Sequence, residues 1–105
     1  MCNFRNFFKL KIMILQDTFI KRFKERRKAK NLTQEALGIK IGLDEFVAST
    51  RINRYEKGKH HPDLNTLQRI AEALDVPPSY FFADDELAKL IQDYHESQKQ
   101  KIINT

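Results

Sequence analysis

Of 105 residues only one, Cys2, is a cysteine, so no disulfide can close within the chain and a cysteine-based metal site is unsupported. The histidines do not supply one either: His60 and His61 are neighbours and His95 is distant, a spacing without a convergent ligand set. Long apolar runs are missing as well. The longest, Ile12 to Leu15, is far too short to span a bilayer, and a secretory signal would need a longer stretch followed by a small-residue cleavage site. No paired nucleophile and base, no phosphate-cradling glycine loop and no carboxylate pair stands out. These gaps point away from an enzyme and from a bound cofactor, metal or membrane. A binding protein of the cytoplasm is the expectation they leave.

What the chain does carry is positive charge. Nineteen Lys and Arg against fourteen Asp and Glu leave a formal +5, a balance that favours polyanionic partners. Its distribution is uneven. KRFKERRKAK, Lys21 to Lys30, is a dense basic block, whereas Asp84 to Glu96 carries most of the acid that follows the core. Such a block is commonly a solvated helix face, but its position next to the segment Asn31 to Lys59 favours phosphate contact.

That segment, NLTQEALGIKIGLDEFVASTRINRYEKGK, reads as helix, glycine turn and helix. Thr33 can cap a helix starting at Gln34, Leu37 and Ile41 recur four apart on its buried side, and Gly42 suits the positive φ that ends it. After the turn, Ala48, Ile52 and Tyr55 fall at i, i+4 and i+7, with Thr50, Asn53, Arg54 and Lys57 on the opposite side. Arg can offer two donors to guanine, Asn can pair with adenine, Ser and Thr meet several base edges, and Lys neutralises phosphate. A helix so furnished suits a major groove, though a solvated surface helix carries the same residue types.

The flanks complete an all-α reading. Residues 1–16 are an N-terminal extension in which Phe8, Leu10, Ile12 and Ile14 alternate with other residues. A strand pairing with a second copy, an arm packed on the domain, and a disordered or loosely packed extension are its three readings, with the last preferred for want of a partner strand. Residues 17–83 form the domain proper. Asp17 or Thr18 can cap a first helix that turns Phe19, Ile20 and Phe23 inward and ends near Asn31. Pro62 and Asp63 open a helix with Leu64, Leu67, Ile70, Ala71 and Leu74 as its apolar stripe, and Pro78 to Phe82 suit a short fifth helix. Residues 84–105 are a further helix and tail, acidic at the start and basic at the end as the helix dipole favours. Its stripe of Leu87, Leu90, Ile91 and Tyr94 is read as an added core layer, with a dimer surface as the alternative.

Taken in order, RRKAKNLTQEALGIKIG, INRYEKGK and, after a proline, LNTLQRIAEALDVP resemble the Cro and phage-repressor type of helix-turn-helix domain, the XRE-like family, over about two thirds of the chain. The resemblance implies a compact five-helix lambda-repressor-like fold, here with a C-terminal helix and an N-terminal extension added. It implies a phosphate or base-edge contact for Gln34, base contacts for Ser49, Thr50 and Arg54, flanking contacts for Asn53 and Lys57, and a backbone contact for Lys59; apart from the resemblance, His60 or His61 in the loop can add a weak phosphate contact. It also implies a buried structural ion pair between Arg27 and Glu56. One departure is the greater length between Gly42 and Glu56, the excess falling in LDEFVAS. An unbroken helix through it would put Phe46 and Val47 outward beside Thr50 and Arg54. The preferred expectation is that the insertion bends away and tucks Phe46 into the domain, the alternative that it meets thymine methyl groups.

The resulting expectation is a bacterial or phage-encoded, sequence-specific regulator of transcription that binds double-stranded DNA and acts as a repressor; a homodimer would fit paired half-sites, and the oligomeric state stays open. Its alternatives are the antitoxin of a toxin–antitoxin pair, whose partner is a toxin or other regulatory protein, and an interaction module that keeps the fold without binding DNA.

Overall fold

The structure, a computed structural model, describes residues 4–103 as backbone and residues 15–102 with their side chains. Five α-helices and one 3-10 turn follow in order: α1 (Phe4–Ala29), α2 (Gln34–Lys40), α3 (Glu45–Glu56), α4 (Leu64–Leu74), the turn Pro78–Phe82 and α5 (Asp85–Ile103). No strand occurs among the described residues.

Local chemistry sets most of the boundaries. Thr33, Asp44 and Asp63 precede α2, α3 and α4 in extended conformation, and their side chains accept from the amides of Ala36, Phe46 and Thr66. Each thereby satisfies one amide that the first helical turn leaves without a partner. At the other ends, Asn31, Gly42, Gly58 and Asp75 take positive φ. The backbone hydrogen bonds of a Schellman motif accompany each: after α3, for example, Lys59 N donates to Arg54 O at 2.9 Å and Gly58 N to Tyr55 O at 3.2 Å. Four helices thus stop on left-handed residues, two of them glycines and two of them Asn or Asp, the types that tolerate that region best.

Aromatic and aliphatic side chains share one core. Phe19, Phe23, Tyr55 and Phe81 are buried together, with ring centroids 5.7–6.5 Å apart between contacting pairs. Leu37, Ile52, Ile70 and Leu74 are fully buried beside them. Full burial of such side chains stabilises by about 1.5–3 kcal/mol each, which is how a domain of this size holds together without cross-links.

Three expectations change. Residues 4–16 are not strand or irregular extension but the first turns of α1, so Asp17 and Thr18 lie inside that helix rather than capping it. Phe8, Ile12, Leu15 and Phe19 also recur at i, i+4, i+7 and i+11, and neither glycine nor proline occurs before Gly38 to interrupt them. Residues 1–3, and the way the side chains of residues 4–14 pack, lie outside what is described. Leu64, read as part of the α4 stripe, is 83% exposed, because it opens the helix and overhangs the core that Leu67 enters. The α5 stripe is not a core layer either: Leu90 and Tyr94 are 65% and 67% exposed, Leu87 is exposed with them, and Ile91 is half-buried. Instead, α5 seats Ala88 and holds on through polar groups.

Those groups converge on Asp75, the left-handed residue at the end of α4. Lys99 and His95 contact its carboxylate, His95 at 3.1 Å, and Lys30 stands 3.6 Å away. Partial burial pushes this carboxyl up, but the hydrogen bonds from Lys99 and His95 and the charges of Lys99 and Lys30 outweigh it and hold it at about 2.

Candidate nucleic-acid interface

α3 is seated by a buried side of Ala48, Ile52, Tyr55 and Glu56. Its crossing with α2 is unusually close: a Cβ added to Gly38 would lie 2.5 Å from Ala48 Cβ and 2.8 Å from Ala48 Cα. Only glycine lets the two backbones approach so far. The contact fixes the angle at which α3 leaves the domain.

The opposite side of α3 faces solvent. Phe46, Thr50, Asn53, Arg54 and Lys57 recur at i, i+4, i+7, i+8 and i+11, which places them on one face. Thr50, Arg54 and Lys57 are exposed, Asn53 is half-buried, Ser49 is exposed on one flank, and Lys59, His60 and His61 are exposed in the following loop. The insertion neither bends away nor hides its aromatic ring. Asp44 starts α3 directly, Phe46 is 87% exposed, and Val47 is exposed beside it. The tucked position fails because Ala48 and Ile52 already fill the side of α3 that meets the core, and Phe46 is turned well away from that side.

Arg27 and Glu56 face each other between α1 and α3, their side chains 11% and 6% exposed. Arg27 Nε donates to Glu56 Oε1 and Nη2 to Oε2 at 3.4 Å, while Nη1 donates to Leu32 O at 2.8 Å. The chain of bonds continues: Gln34 Nε2 donates to Glu56 Oε2 at 2.8 Å, and Asn53 Nδ2 donates to Gln34 Oε1 at 3.5 Å. One network therefore ties α1, α2 and α3. Gln34 and Asn53 spend part of their hydrogen-bonding capacity within it, each keeping one amide proton for an outside acceptor, and Asn53 its oxygen as well.

The basic block divides by residue type. Arg22 Nε donates to Ala83 O at 3.0 Å and its Nη2 meets Asp85; Arg26 Nε donates to Leu74 O at 2.8 Å; Arg27 enters the network just described. All three bond within the fold: for Arg27 that is the expected ion pair, and for Arg22 and Arg26 it narrows the reading of the block to its lysines. Arginine suits the task, since its planar fork satisfies several acceptors at once. Lys24 and Lys28 remain exposed.

A helix-turn-helix family model matches residues 23–81, more than half of the chain. The chain belongs to the helix-turn-helix family. Similar proteins include the uncharacterized HTH-type transcriptional regulator y4aM of Sinorhizobium fredii, 42% identical over 61% of this chain and 42% of that protein. The HTH-type transcriptional activator BcrR of Enterococcus faecalis is 30% identical over 82% of this chain and 40% of its own. The uncharacterized HTH-type transcriptional regulator YqaE of Bacillus subtilis is 31% identical over 82% and 67%. The chain thus spans about half the length of several curated relatives it matches. Among solved structures, the crystal structure of the transcriptional regulator BswR superposes with a TM-score of 0.70 at 34% identity, covering 81% of this chain and 91% of the other.

Within this helix-turn-helix protein, two residues beside the candidate interface escape a reading by sequence. Gly38 looks like an interior helix position, and only the packed pair of helices reveals why it has no side chain. Arg51 is exposed beside Val47 and Arg54 and extends the cationic flank of α3. Its place before the buried Ile52 is the one signal of this in the sequence. Among the described residues no group of His, Cys, Asp and Glu is arranged to hold a metal, and no helix is long and apolar enough to cross a membrane.

Proposed function

We propose that the protein is a sequence-specific regulator that reads the major groove of double-stranded DNA with α3 and represses transcription by occupying its operator. Thr50, Arg54 and, on the flank, Ser49 meet base edges; Asn53 and Gln34 add contacts with the protons their network leaves free; Lys57 and Lys59 meet phosphate. The observation that carries this reading is the solvent-facing stripe of Thr50, Asn53, Arg54 and Lys57 on a helix whose other side is locked by Ile52, Tyr55 and Glu56. Such a stripe is presented rigidly, and rigid presentation lowers the entropy lost on binding.

Selection of random duplexes on the purified protein tests the proposal. A defined motif is expected, and Arg54→Ala should cost about 1–3 kcal/mol on that motif with little change on random DNA. Equal loss on both would remove Arg54 from base reading. The exposed α5 stripe of Leu87, Leu90 and Tyr94 supports a second copy as partner. A palindromic motif with half-sites about 34 Å apart is then expected, and a single asymmetric site would argue against the pair.

A further inference from the structure

We propose that Phe46 reads thymine by its methyl group, so that the first turn of α3 confers specificity through apolar contact and the later turns through hydrogen bonds. The inference rests on the DNA-binding reading above and deepens it. Phe46 is 87% exposed, the largest exposure among the big apolar side chains of the described residues, and Val47 next to it is 45% exposed. A single exposed apolar side chain is ordinary, but Phe46 and Val47 stand side by side at the start of the helix that carries the polar stripe, and together they give that end an apolar surface for a partner. Its position identifies that partner. Phe46 shares its face with Thr50, Asn53, Arg54 and Lys57, and no described residue of the fold covers it.

Position along the helix sharpens the argument. A recognition helix meets base edges mainly with its N-terminal residues, and Phe46 is the second residue of α3. Asp44 caps that end by accepting from the Phe46 amide, so the backbone donor is already spent and the side chain is what remains to contact a base. In the major groove the one apolar feature that distinguishes the base pairs is the C5 methyl of thymine. A protein partner would also accept an exposed ring, but the exposed Arg51, Arg54 and Lys57 on the same helix favour a polyanion as the occupant.

The test begins with the motif selected by the wild-type protein. Each thymine is replaced in turn by deoxyuridine, which removes one methyl and preserves base pairing. At a contacted position wild-type affinity should fall about fourfold, the expected effect of exposing one buried methyl-sized group. Phe46→Ala should weaken binding to the thymine operator by about tenfold or more while leaving the melting temperature unchanged, and should erase the fourfold deoxyuridine penalty. Phe46→Leu should retain it. Affinity indifferent to deoxyuridine at every position, or a penalty that persists in Phe46→Ala, overturns the inference while the selected motif leaves the DNA-binding reading standing. Unchanged DNA affinity in Phe46→Ala also overturns it. Failure to enrich any motif removes the DNA-binding reading and this inference with it.

Discussion

Replacing Arg27 by Met should be among the most damaging single changes in the protein. The Glu56 carboxylate is nearly sealed from solvent, its side chain 6% exposed, and Arg27 supplies its only cationic partner among the described residues. Removing one member of a buried pair strands the other, a loss of about 3–5 kcal/mol, whereas an exposed pair contributes about 0–1 kcal/mol. Leu32 O would also lose the donor now 2.8 Å away, adding about 1 kcal/mol. Glu56→Gln should cost less than Arg27→Met, because a neutral oxygen still accepts from the guanidinium and Leu32 keeps its bond. The double variant should lie well below the sum of the singles, since neither partner is then left as a lone buried charge. Natural domains are stable by about 5–15 kcal/mol, so Arg27→Met removes a large share of the total. For a domain of this size a 3 kcal/mol loss lowers the melting midpoint by at least about 12 °C. Urea and thermal melts of the three variants provide the assay. Near-wild-type stability in both singles would refute the reasoning, as would strict additivity in the double variant.

Gly38→Ala should destabilise by about 1–2 kcal/mol: helix propensity returns about 1 kcal/mol, but overpacking against the Ala48 backbone costs about 1–3 kcal/mol at the tight end of its range. A melt showing equal or higher stability would contradict the close α2–α3 crossing. The Asp75 carboxyl, held at about 2, contributes stability that is fully present above the unfolded value near 3.8 and is lost as pH falls through 2, on the order of 2 kcal/mol. Asp75→Asn, which keeps a residue tolerant of positive φ, should flatten the acid limb of an equilibrium-unfolding titration; an unchanged limb would remove Asp75 as its source. Lys57→Ala should weaken binding to all duplexes alike and reduce the salt slope by about one unit, and an effect confined to one base position would reassign it to base reading.

Features governed by near neighbours along the chain are legible in the residues themselves. Thr33 as a cap, Asn31 and Gly42 as left-handed stops and Asp63 as the opening of α4 each act within a few residues, so the local chain suffices to place them. Features governed by distant packing are not. The arginines of the basic block look like their neighbouring lysines until Ala83, Leu74 and Glu56 arrive from elsewhere in the chain. The α5 stripe looks like a core face because its pattern is amphipathic, yet Ala88 and the groups bonded to Asp75 are what face the domain. The candidate site is legible in residue type and in face, whereas the hydrogen bonds that Gln34 and Asn53 make inside the protein require the juxtaposition of α2 and α3.

The close of α3 at Gly58 determines where this helix can vary in length. Its carboxyl end is clamped by the Schellman bonds of Gly58 and Lys59, by the Arg27–Glu56 pair and by α1, since a Cβ on Gly58 would meet Gln16 and Ile20 at 3.0 Å. Its amino end is held by the Asp44 cap and by Ala48, buried against Gly38 of α2. The helix is thus anchored on both sides of its exposed stripe, and one residue added between Ala48 and Glu56 would turn one anchor against the other by about 100°. Added length is therefore least disruptive ahead of Ala48, in the turn that carries Phe46, whereas an insertion between Ala48 and Gly58 would unseat the stripe that carries Thr50 and Arg54.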